Sequence, residues 1–251
     1  MRRYRLAVLG GTFDHLHVGH HALLASAFHA GDSVAVGLTT DRFVATHPKP
    51  DPERVQPFRA RRAALVRWIR RNFPRRTWRV VPLDDPFGGS VEPEVDVLVV
   101  SQDTEAGGRA VNRERRRLGR RGVPLVIVPL ALADDLEPVS SRRVRAGIIG
   151  TDGRRVAPIR IAVAAQDPRD RAPVERAVRR VFARARVVRG DAPRPAGSVK
   201  GDLIVQVTPR QPSGWVATVR SSRVRLRPRL LSGSRPVQLE RGVVGLLRPR
   251  Q

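Results

Sequence analysis

Two histidines three residues apart are the side chains of this sequence best suited to phosphate chemistry. His17 and His20 end the stretch Gly10 to His20, which reads G-G-T-F-D-H-L-H-V-G-H and is called the H-x-G-H turn below. Side chains at this spacing lie on one face of a helix and can reach the same anion. The free backbone N–H groups at a helix start also attract phosphate. The stretch therefore predicts a phosphate-binding turn, with two surface histidines as the alternative interpretation.

A strand and a helix must hold this turn in place. The run Arg5 to Leu9 is short and mostly apolar, as is typical of a buried strand, and the two glycines after it allow a tight turn. Beyond the turn, apolar residues recur at helical spacing until Gly31, a natural helix stop. These apolar residues are Leu23, Leu24, Ala27 and Phe28.

Strands and helices alternate over the first 150 residues. Apolar runs predict further strands over 33–39, 77–83, 95–100 and 124–130. Periodic patterns predict helices over 57–73 and 104–120, and a short helix capped by Ser140 or Ser141 that ends near Gly150. In the 57–73 helix we assign four arginines, Arg61, Arg62, Arg70 and Arg71, to a solvated face. The alternation predicts an α/β fold with a parallel sheet, whose ligands bind at the carboxyl ends of the strands.

The composition is dominated by arginine. Of 48 basic residues among 251, only Lys49 and Lys200 are lysines, so a single arginine is weak evidence for a binding site. The absence of cysteine excludes disulfides and thiolate metal sites. No apolar run suits a membrane span or a signal peptide, and we expect a cytoplasmic protein. Residues 152–251 hold 23 basic and 7 acidic side chains, a balance that favours polyanions such as nucleic acid.

A second group of phosphate-binding candidates lies near residue 140. The segment Val139 to Arg145 offers two hydroxyls, several guanidinium groups and the N–H groups of a helix start, a combination suited to a triphosphate. Lys49 lies in a proline-rich loop at a strand end, where it either contacts phosphate or is a solvated loop lysine.

Four separated motifs together resemble the phosphopantetheine adenylyltransferases of the archaeal type, members of the nucleotidyltransferase superfamily. The motifs are the H-x-G-H turn, the P-L-x-D-P-Y-G-like loop Pro82 to Gly88, the V-V-S…N-R segment Val99 to Arg113, and the Ser140-Ser141 pair. They occur in the family's order, and the resemblance covers residues 5–150. Two positions depart from the family pattern: Glu105 replaces an aromatic residue and Arg142 replaces a threonine.

The resemblance implies a Rossmann-like nucleotidyltransferase domain over residues 1–150. Such a domain transfers the adenylyl group of ATP to 4'-phosphopantetheine and yields dephospho-coenzyme A and pyrophosphate, with Mg²⁺ bridging the triphosphate and no metal held by the protein alone. By this resemblance His17 and His20 are catalytic and Thr12 holds the acceptor phosphate. We expect Asn112 to meet the amides of the acceptor and Lys49, unless it is solvated, to face the same phosphate. The nucleotide-binding residues implied are Gly10, Gly11, Phe13, Ser140, Ser141, Arg143 and Arg145.

A second, smaller α/β domain is predicted over residues 157–251, after a linker at Gly150 to Gly153. A strand at 159–165 and a helix beginning at Pro173 resemble the opening of inosine/xanthosine triphosphatases. From residue 172 onwards only Glu175, Asp191, Asp202 and Glu240 are acidic, too few for a Mg²⁺-dependent hydrolase site, so we expect a degenerate domain. Further strands are predicted over 203–207, 215–219 and 237–247.

Other functions remain open on the sequence alone. A related transferase could act on flavin mononucleotide or nicotinamide mononucleotide, although the Val99 to Arg113 segment disfavours this. A nucleic-acid-binding protein on a retired transferase scaffold would suit the basic second segment, but the retained histidines and serines argue against it. A class I aminoacyl-tRNA synthetase shares H-x-G-H but needs a K-M-S-K-S-like loop that this sequence lacks. The oligomeric state is not predicted.

Overall fold

The chain forms two compact units in a computed structural model. The structure describes residues 3–47, 52–165, 168–182, 185–189, 203–209, 215–221, 229–233 and 243. The first unit comprises Met1–Ala131 and Val139–Gly153, and the second comprises Leu132–Pro138 and Arg154–Gln251. The two differ from the predicted domains 1–150 and 157–251 in two places. Residues 151–153, part of the expected linker, belong to the first unit, and residues 132–138 belong to the second.

Five parallel strands form the sheet of the first unit. They are β1 (Tyr4–Gly11), β2 (Gly31–Thr39), β3 (Thr77–Leu83), β4 (Val97–Ser101) and β5 (Leu125–Val128). Their order across the sheet is β3-β2-β1-β4-β5, and every neighbouring pair is parallel. The predicted α/β class and parallel sheet are confirmed. Because β1 lies at the centre, the H-x-G-H turn that follows it begins in the middle of the sheet's carboxyl edge.

The described part of the first unit also contains five α-helices, of which the first four lie between strands of this sheet and the last follows β5. They are α1 (Val18–Ala30), α2 (Asp41–Thr46), α3 (Phe58–Asn72), α4 (Glu105–Arg117) and α5 (Ser141–Arg145). The sequence did not predict α2. Helix α5 begins at the predicted serine cap, since the Ser140 hydroxyl accepts a hydrogen bond from the Arg143 N–H at 3.4 Å. It ends earlier than expected because Gly147 adopts a left-handed φ of 64° and its N–H bonds to the Val144 carbonyl.

The two faces of the sheet pack against different helices. One face, with Leu9 and Val36, joins buried residues of α1 and α3 such as Phe28 and Leu65 in the larger core. On the opposite face Val8, Ala35 and Leu98 cluster with Val111 of α4. Strand residues alternate between the two clusters as the period of a β-strand requires. Helices therefore cover both faces, as expected for a buried parallel sheet.

The second unit contains a mixed sheet. Its strands are β6 (Arg160–Ala165), β7 (Arg186–Arg189), β8 (Leu203–Pro209), β9 (Trp215–Ser221) and β10 (Arg229–Gly233), in the order β10-β9-β8-β6-β7. Strand β6 is parallel to β7 and β8, whereas β9 is antiparallel to both of its neighbours. This confirms a second α/β domain. The strand predicted over 237–247 lies outside the described residues, apart from the buried Val243.

The helix of the second unit begins earlier than predicted. Helix α6 runs over Pro168–Val181, so Pro173 lies inside it and is not its first residue. The N–H that Pro173 lacks would bond to the carbonyl of Arg169, which is in the exposed first turn. A proline this close to the helix start costs less than one deeper in the helix, and Pro168 takes the first helical position instead.

Residues 132–138 pack into the second unit although they precede α5 in sequence. Leu136 is 5% exposed and belongs to the same core cluster as Ile159 and Val174. Asp135 is buried beside it and forms an ion pair with Arg155 at 3.3 Å. A buried carboxylate requires such a partner. Residue types alone do not indicate that residues 132–138 belong to the second unit, because this depends on contacts between residues that are distant along the chain.

Arg61 of α3 is fully buried, contrary to the prediction that it lies on a solvated face. Its guanidinium donates to the carbonyl oxygens of Thr12, Thr39 and Gln56 at 2.9, 2.7 and 2.7 Å, and to the Asp41 carboxylate at 2.8 Å. Thr12 directly follows β1, and Thr39 ends β2. Asp41 begins α2, and Gln56 lies just before α3. Arg61 thus holds the carboxyl ends of two central strands together, and its position on the buried stripe with Leu65 and Ile69 explains its burial.

We expect Arg61→Met to destabilise the protein by roughly 3 to 5 kcal/mol, because the buried Thr39 carbonyl, two partly buried carbonyls and the Asp41 carboxylate lose their donor. Urea denaturation measures the change. The exposed neighbour Arg62 provides the matched control, and Arg62→Met is expected to shift stability by less than about 0.5 kcal/mol. Equal stability of the two variants would contradict the role assigned to Arg61.

Candidate active site

The H-x-G-H turn leaves β1 through a strained backbone. Phe13 and His15 adopt positive φ values of 47° and 43°. Residues with a Cβ rarely take this conformation, so the surrounding structure must hold it. Phe13 supplies one anchor, since its side chain is 1% exposed and belongs to the larger core. The His15 N–H supplies another by donating to the Gln56 side-chain oxygen at 2.9 Å.

The two predicted catalytic histidines lie against each other at the start of α1. His17 is the N-cap residue, and its ring stacks on that of His20 with centroids 3.7 Å apart and planes at 19°. The His17 backbone N–H points at Nδ1 of His20 at 3.4 Å. This makes Nδ1 the acceptor and leaves the proton of a neutral His20 ring on Nε2. The two predicted catalytic histidines therefore form a stacked pair of imidazole rings at the start of α1.

His17 is held in its neutral form. Burial, reinforced by the charges of His21 and His15 against the opposing effect of Asp14, lowers the pKa of His17 from 6.5 to about 4. Its Nδ1 atom is buried and has no hydrogen-bond partner in the described part of the structure. At neutral pH this ring can donate one hydrogen bond but does not carry a charge.

Asp14 joins the H-x-G-H turn to two distant segments. Its carboxylate is 1% exposed, accepts the Gln56 N–H at 2.9 Å and pairs with Arg145 at 2.6 Å. Its carbonyl oxygen accepts the Ser141 hydroxyl at 2.7 Å. The predicted nucleotide-binding residues Ser141 and Arg145 are therefore placed beside the turn through their contacts with Asp14.

Three further residues predicted to bind substrate lie close to the H-x-G-H turn or within it, in different surroundings. Thr12 lies at the strand end, where its hydroxyl accepts a hydrogen bond from Thr39 at 3.2 Å. Arg143 is buried in α5 beside the Ser140 cap, whereas the side chain of Phe13 is in the core, so that Phe13 could contact a nucleotide through its backbone alone.

Asn112 and Lys49 are not placed in the site. The carboxamide of Asn112 bonds to both the N–H and the carbonyl of Val123 at 2.8 Å, which fixes the segment after α4. Asn112 does not line the cavity described next. Lys49 lies outside the described residues.

A cavity of about 280 Å³ lies on the face of the sheet that α4 covers. It begins at the strand ends beside Gly10, Gly11 and Thr39 and continues along the sheet. Its floor consists mainly of small and apolar residues together with Arg79 of β3, and its walls are the loop after β3 and the first half of α4. The floor includes Val8, Ala35, Gly37, Val81 and Leu98, and the walls include Asp85, Phe87, Thr104, Gly107 and Gly108.

Two neighbouring glycines shape the α4 wall. A Cβ on Gly108 would lie 3.0 Å from Val100, so this glycine lets the helix pack closely on the sheet. A Cβ on Gly107 would meet nothing within 4 Å. Glycine weakens a helix interior by about 1 kcal/mol relative to alanine. Because Gly107 faces open space, close packing does not explain why glycine occupies this position.

Sequence reasoning missed several residues that build the site. Asp14, Gln56, Thr39 and Arg61 are all required to connect its parts, and the segment Gly150 to Gly153 reaches it as well. The Thr151 carbonyl accepts the Val18 N–H at 2.9 Å. Asp14 and Arg61 carried a usable signal, because one follows G-G-T-F directly and the other lies on an apolar helical stripe. A hydrogen bond to a backbone carbonyl cannot be inferred from residue types, because every residue has that carbonyl.

The described residues contain neither a cluster of metal ligands nor a helix suited to cross a membrane. No three His, Asp or Glu side chains there are grouped so that they could hold a metal ion. In the same part of the chain, no helix combines the length and apolar character that a membrane crossing requires.

The lowered pKa of His17 makes stability depend on pH. As pH falls from about 7 to 4, the unfolded chain protonates this histidine while the folded protein does not, so unfolding is favoured by up to about 3 kcal/mol. We expect His17→Gln to lose less stability than the wild type over this interval. Urea titrations at matched pH values measure both curves. Parallel curves would show that His17 is not held neutral.

Comparison with known proteins identifies the family. A model of the cytidylyltransferase-like family matches residues 8–147. The phosphopantetheine adenylyltransferase of Methanopyrus kandleri is 38% identical over 146 residues, which cover 58% of this chain and 91% of that protein. The enzyme of the same name from Methanothermobacter thermautotrophicus is 37% identical over 163 residues, covering 64% of this chain and 96% of that protein.

A longer relative extends the match into the second unit. The bifunctional phosphopantetheine adenylyltransferase/NTP phosphatase of Thermoplasma acidophilum is 32% identical over 187 residues, 74% of this chain and 56% of that protein. That alignment is longer than the stretch up to Gly153, in keeping with the predicted triphosphatase resemblance of the second segment. The fold, the H-x-G-H turn and these matches agree: the chain belongs to the cytidylyltransferase-like family of nucleotidyltransferases, among the relatives of the archaeal phosphopantetheine adenylyltransferases.

Proposed function

We propose that the first unit transfers the adenylyl group of ATP to 4'-phosphopantetheine, giving dephospho-coenzyme A and pyrophosphate. The names of the relatives support this reaction. The H-x-G-H turn and the Ser141–Asp14–Arg145 contacts provide a phosphate-binding region at the carboxyl edge of the sheet. The protein then acts as an enzyme of coenzyme A biosynthesis.

The cavity beside the sheet is the observation that supports this acceptor best. The pantetheine arm is long, flexible and only sparsely polar, so it needs an extended and mainly apolar groove that ends at a phosphate site. The cavity has this form, and its walls come from the two segments, 82–88 and 99–113, that resemble the family. A flat acceptor such as flavin mononucleotide would need a stacking slot built from aromatic rings. Among the residues that line the cavity, two are aromatic, Phe43 and Phe87, and most of the others are aliphatic or small. The lining therefore suits a pantetheine arm better than a flavin.

The reaction requires alignment and charge stabilisation and no covalent enzyme intermediate. The acceptor phosphate is already a nucleophile, and it attacks the α-phosphorus of ATP as pyrophosphate leaves. Neutral His17, and His20 through Nε2, can donate hydrogen bonds to the α-phosphoryl oxygens as negative charge develops on them. Thr12 follows Gly11 of the cavity lining and is hydrogen-bonded to Thr39, another lining residue, so it can hold the acceptor phosphate from the strand end. We keep Lys49 as a further phosphate contact.

Magnesium would enter with ATP. Mg²⁺ is usually held by substrate phosphates and water with few protein carboxylates. The carboxylate of the H-x-G-H turn itself, that of Asp14, already bonds to Gln56 and Arg145. The residues present therefore fit a Mg²⁺ ion held mainly by the triphosphate, whose role would be to neutralise charge on the phosphates.

We propose that the second unit does not hydrolyse nucleoside triphosphates. Its sequence from residue 172 onwards contains four acidic residues, and a Mg²⁺-dependent hydrolase needs clustered carboxylates. Incubation of the full chain with inosine and xanthosine triphosphates tests this proposal. We expect no phosphate or pyrophosphate release above background, and release with either nucleotide in the absence of an acceptor would contradict it.

We expect His17→Ala and His20→Ala each to lower kcat at least a hundredfold, since each removes about 3 kcal/mol of transition-state stabilisation. Pyrophosphate release from ATP and 4'-phosphopantetheine measures the effect. His29 lies on the same helix but is exposed, so His29→Ala is the control and should leave kcat unchanged. Near-normal turnover of either site variant would refute the catalytic assignment.

A second prediction addresses the groove. Gly107→Leu should fill the cavity and raise KM for 4'-phosphopantetheine about tenfold or more, while KM for ATP stays near the wild-type value. Because leucine is the better helix former, thermal stability should hold or rise. The control is Ala106→Leu, one residue outside the lining, with KM values expected to be unchanged. An unaltered acceptor KM in Gly107→Leu would remove the groove from the account.

A further inference from the structure

The segment that the sequence suggested to be a linker closes into a turn of the first unit. The Gly153 N–H donates to the Gly150 carbonyl at 3.0 Å, and Gly153 is buried with a left-handed φ of 80°. This turn directs the Thr151 carbonyl at the Val18 N–H, 2.9 Å away. A backbone hydrogen bond thus fastens the Gly150–Gly153 turn to the H-x-G-H turn.

Val18 occupies a sensitive place, because it stands between His17 and Gly19 and is the first residue of α1. A helix leaves its first N–H groups without intrahelical partners, and their direction sets the orientation of the helix start. The Thr151 carbonyl takes one of these N–H groups. In the next turn of the helix the His21 N–H bonds to the His17 carbonyl at 3.0 Å. The helix start is therefore held from both sides.

The imidazole rings have little freedom relative to this backbone. A Cβ on Gly19 would lie 3.2 Å from the His17 ring, so the ring rests on the residue next to Val18. The His20 ring stacks on His17 with centroids 3.7 Å apart. A tilt of the helix start therefore displaces both rings together, and a displacement of about 1 Å can cost a hundredfold in rate.

We propose that the Gly150–Gly153 turn is a positioning element of the active site: through the Thr151 carbonyl and the Val18 N–H it fixes the orientation of His17 and His20. This inference rests on the proposed adenylyl transfer. The turn touches no substrate and acts only through the helix start. It follows that residues 151–153 belong to the catalytic machinery and that the catalytic unit must extend past residue 150.

The test uses the full chain with Gly153→Ala, which strains the left-handed turn. We expect kcat to fall about tenfold or more, with KM for ATP and for the acceptor within about threefold of wild type. Gly119→Ala is the matched control, because Gly119 has a similar φ of 69° in open space after α4, and its kcat should not change. Gly153→Asn should recover most of the rate, since asparagine tolerates this conformation.

Amide hydrogen exchange of Val18 provides a readout that does not depend on activity. We expect slow exchange in the wild type and in Gly119→Ala, faster exchange in Gly153→Ala, and unchanged exchange of His21. Fast exchange of Val18 in the wild type would overturn the inference, and so would a Gly153→Ala enzyme with wild-type kcat. If the wild type shows no adenylyl transfer, the proposed function fails while the exchange pattern still reports on the turn.

Discussion

The buried carboxylate of Asp14 is the interaction on which the site depends. A charge in the interior is costly unless it is paired and hydrogen-bonded, so the partners of Asp14 are not optional. Its partners come from the segment before α3 and from α5, and its own backbone belongs to the H-x-G-H turn. Three segments up to 131 residues apart are thereby fixed at one edge of the sheet. The strained backbone at Phe13 and His15 is tolerated because this arrangement holds it on both sides.

The face of the sheet under α4 is kept open and not fully packed. The small residue Ala35 leaves the floor of the cavity open, and Gly107 leaves its wall open. Each choice gives up stability that a larger side chain would provide. The opposite face, with Phe28, Leu65 and Ile69, is filled and carries the larger core. Stability and binding are thus assigned to opposite faces of one sheet.

Local signals predicted the fold of the first unit well. The apolar runs located all five strands to within a few residues, and the serine cap located α5, because strand and cap patterns act over short distances. The histidine pair was found because its spacing alone brings the rings together. Arg61 was assigned to solvent because charge was weighted above its place on the apolar stripe of α3.

Other features depended on contacts that residue types do not encode. Residues 132–138 belong to the second unit because Leu136 packs into its core. The hydrogen bond between the Val18 N–H and the Thr151 carbonyl involves only backbone atoms. Asn112 was expected to meet the acceptor, yet the structure engages its carboxamide with Val123, a partner eleven residues away. The sequence pattern predicts α6 from Pro173, five residues after its actual start at Pro168, because proline is common at the first helical position.

The most direct test of the central claim compares acceptors for the full chain. Pyrophosphate release from ATP is measured with 4'-phosphopantetheine, flavin mononucleotide and nicotinamide mononucleotide in competition, and the product is identified by mass. The account predicts dephospho-coenzyme A as the product and a kcat/KM for 4'-phosphopantetheine at least about a hundredfold above the others, a difference of about 2.7 kcal/mol in transition-state binding. Equal or reversed preference would contradict the pantetheine groove while leaving the nucleotidyltransferase family in place.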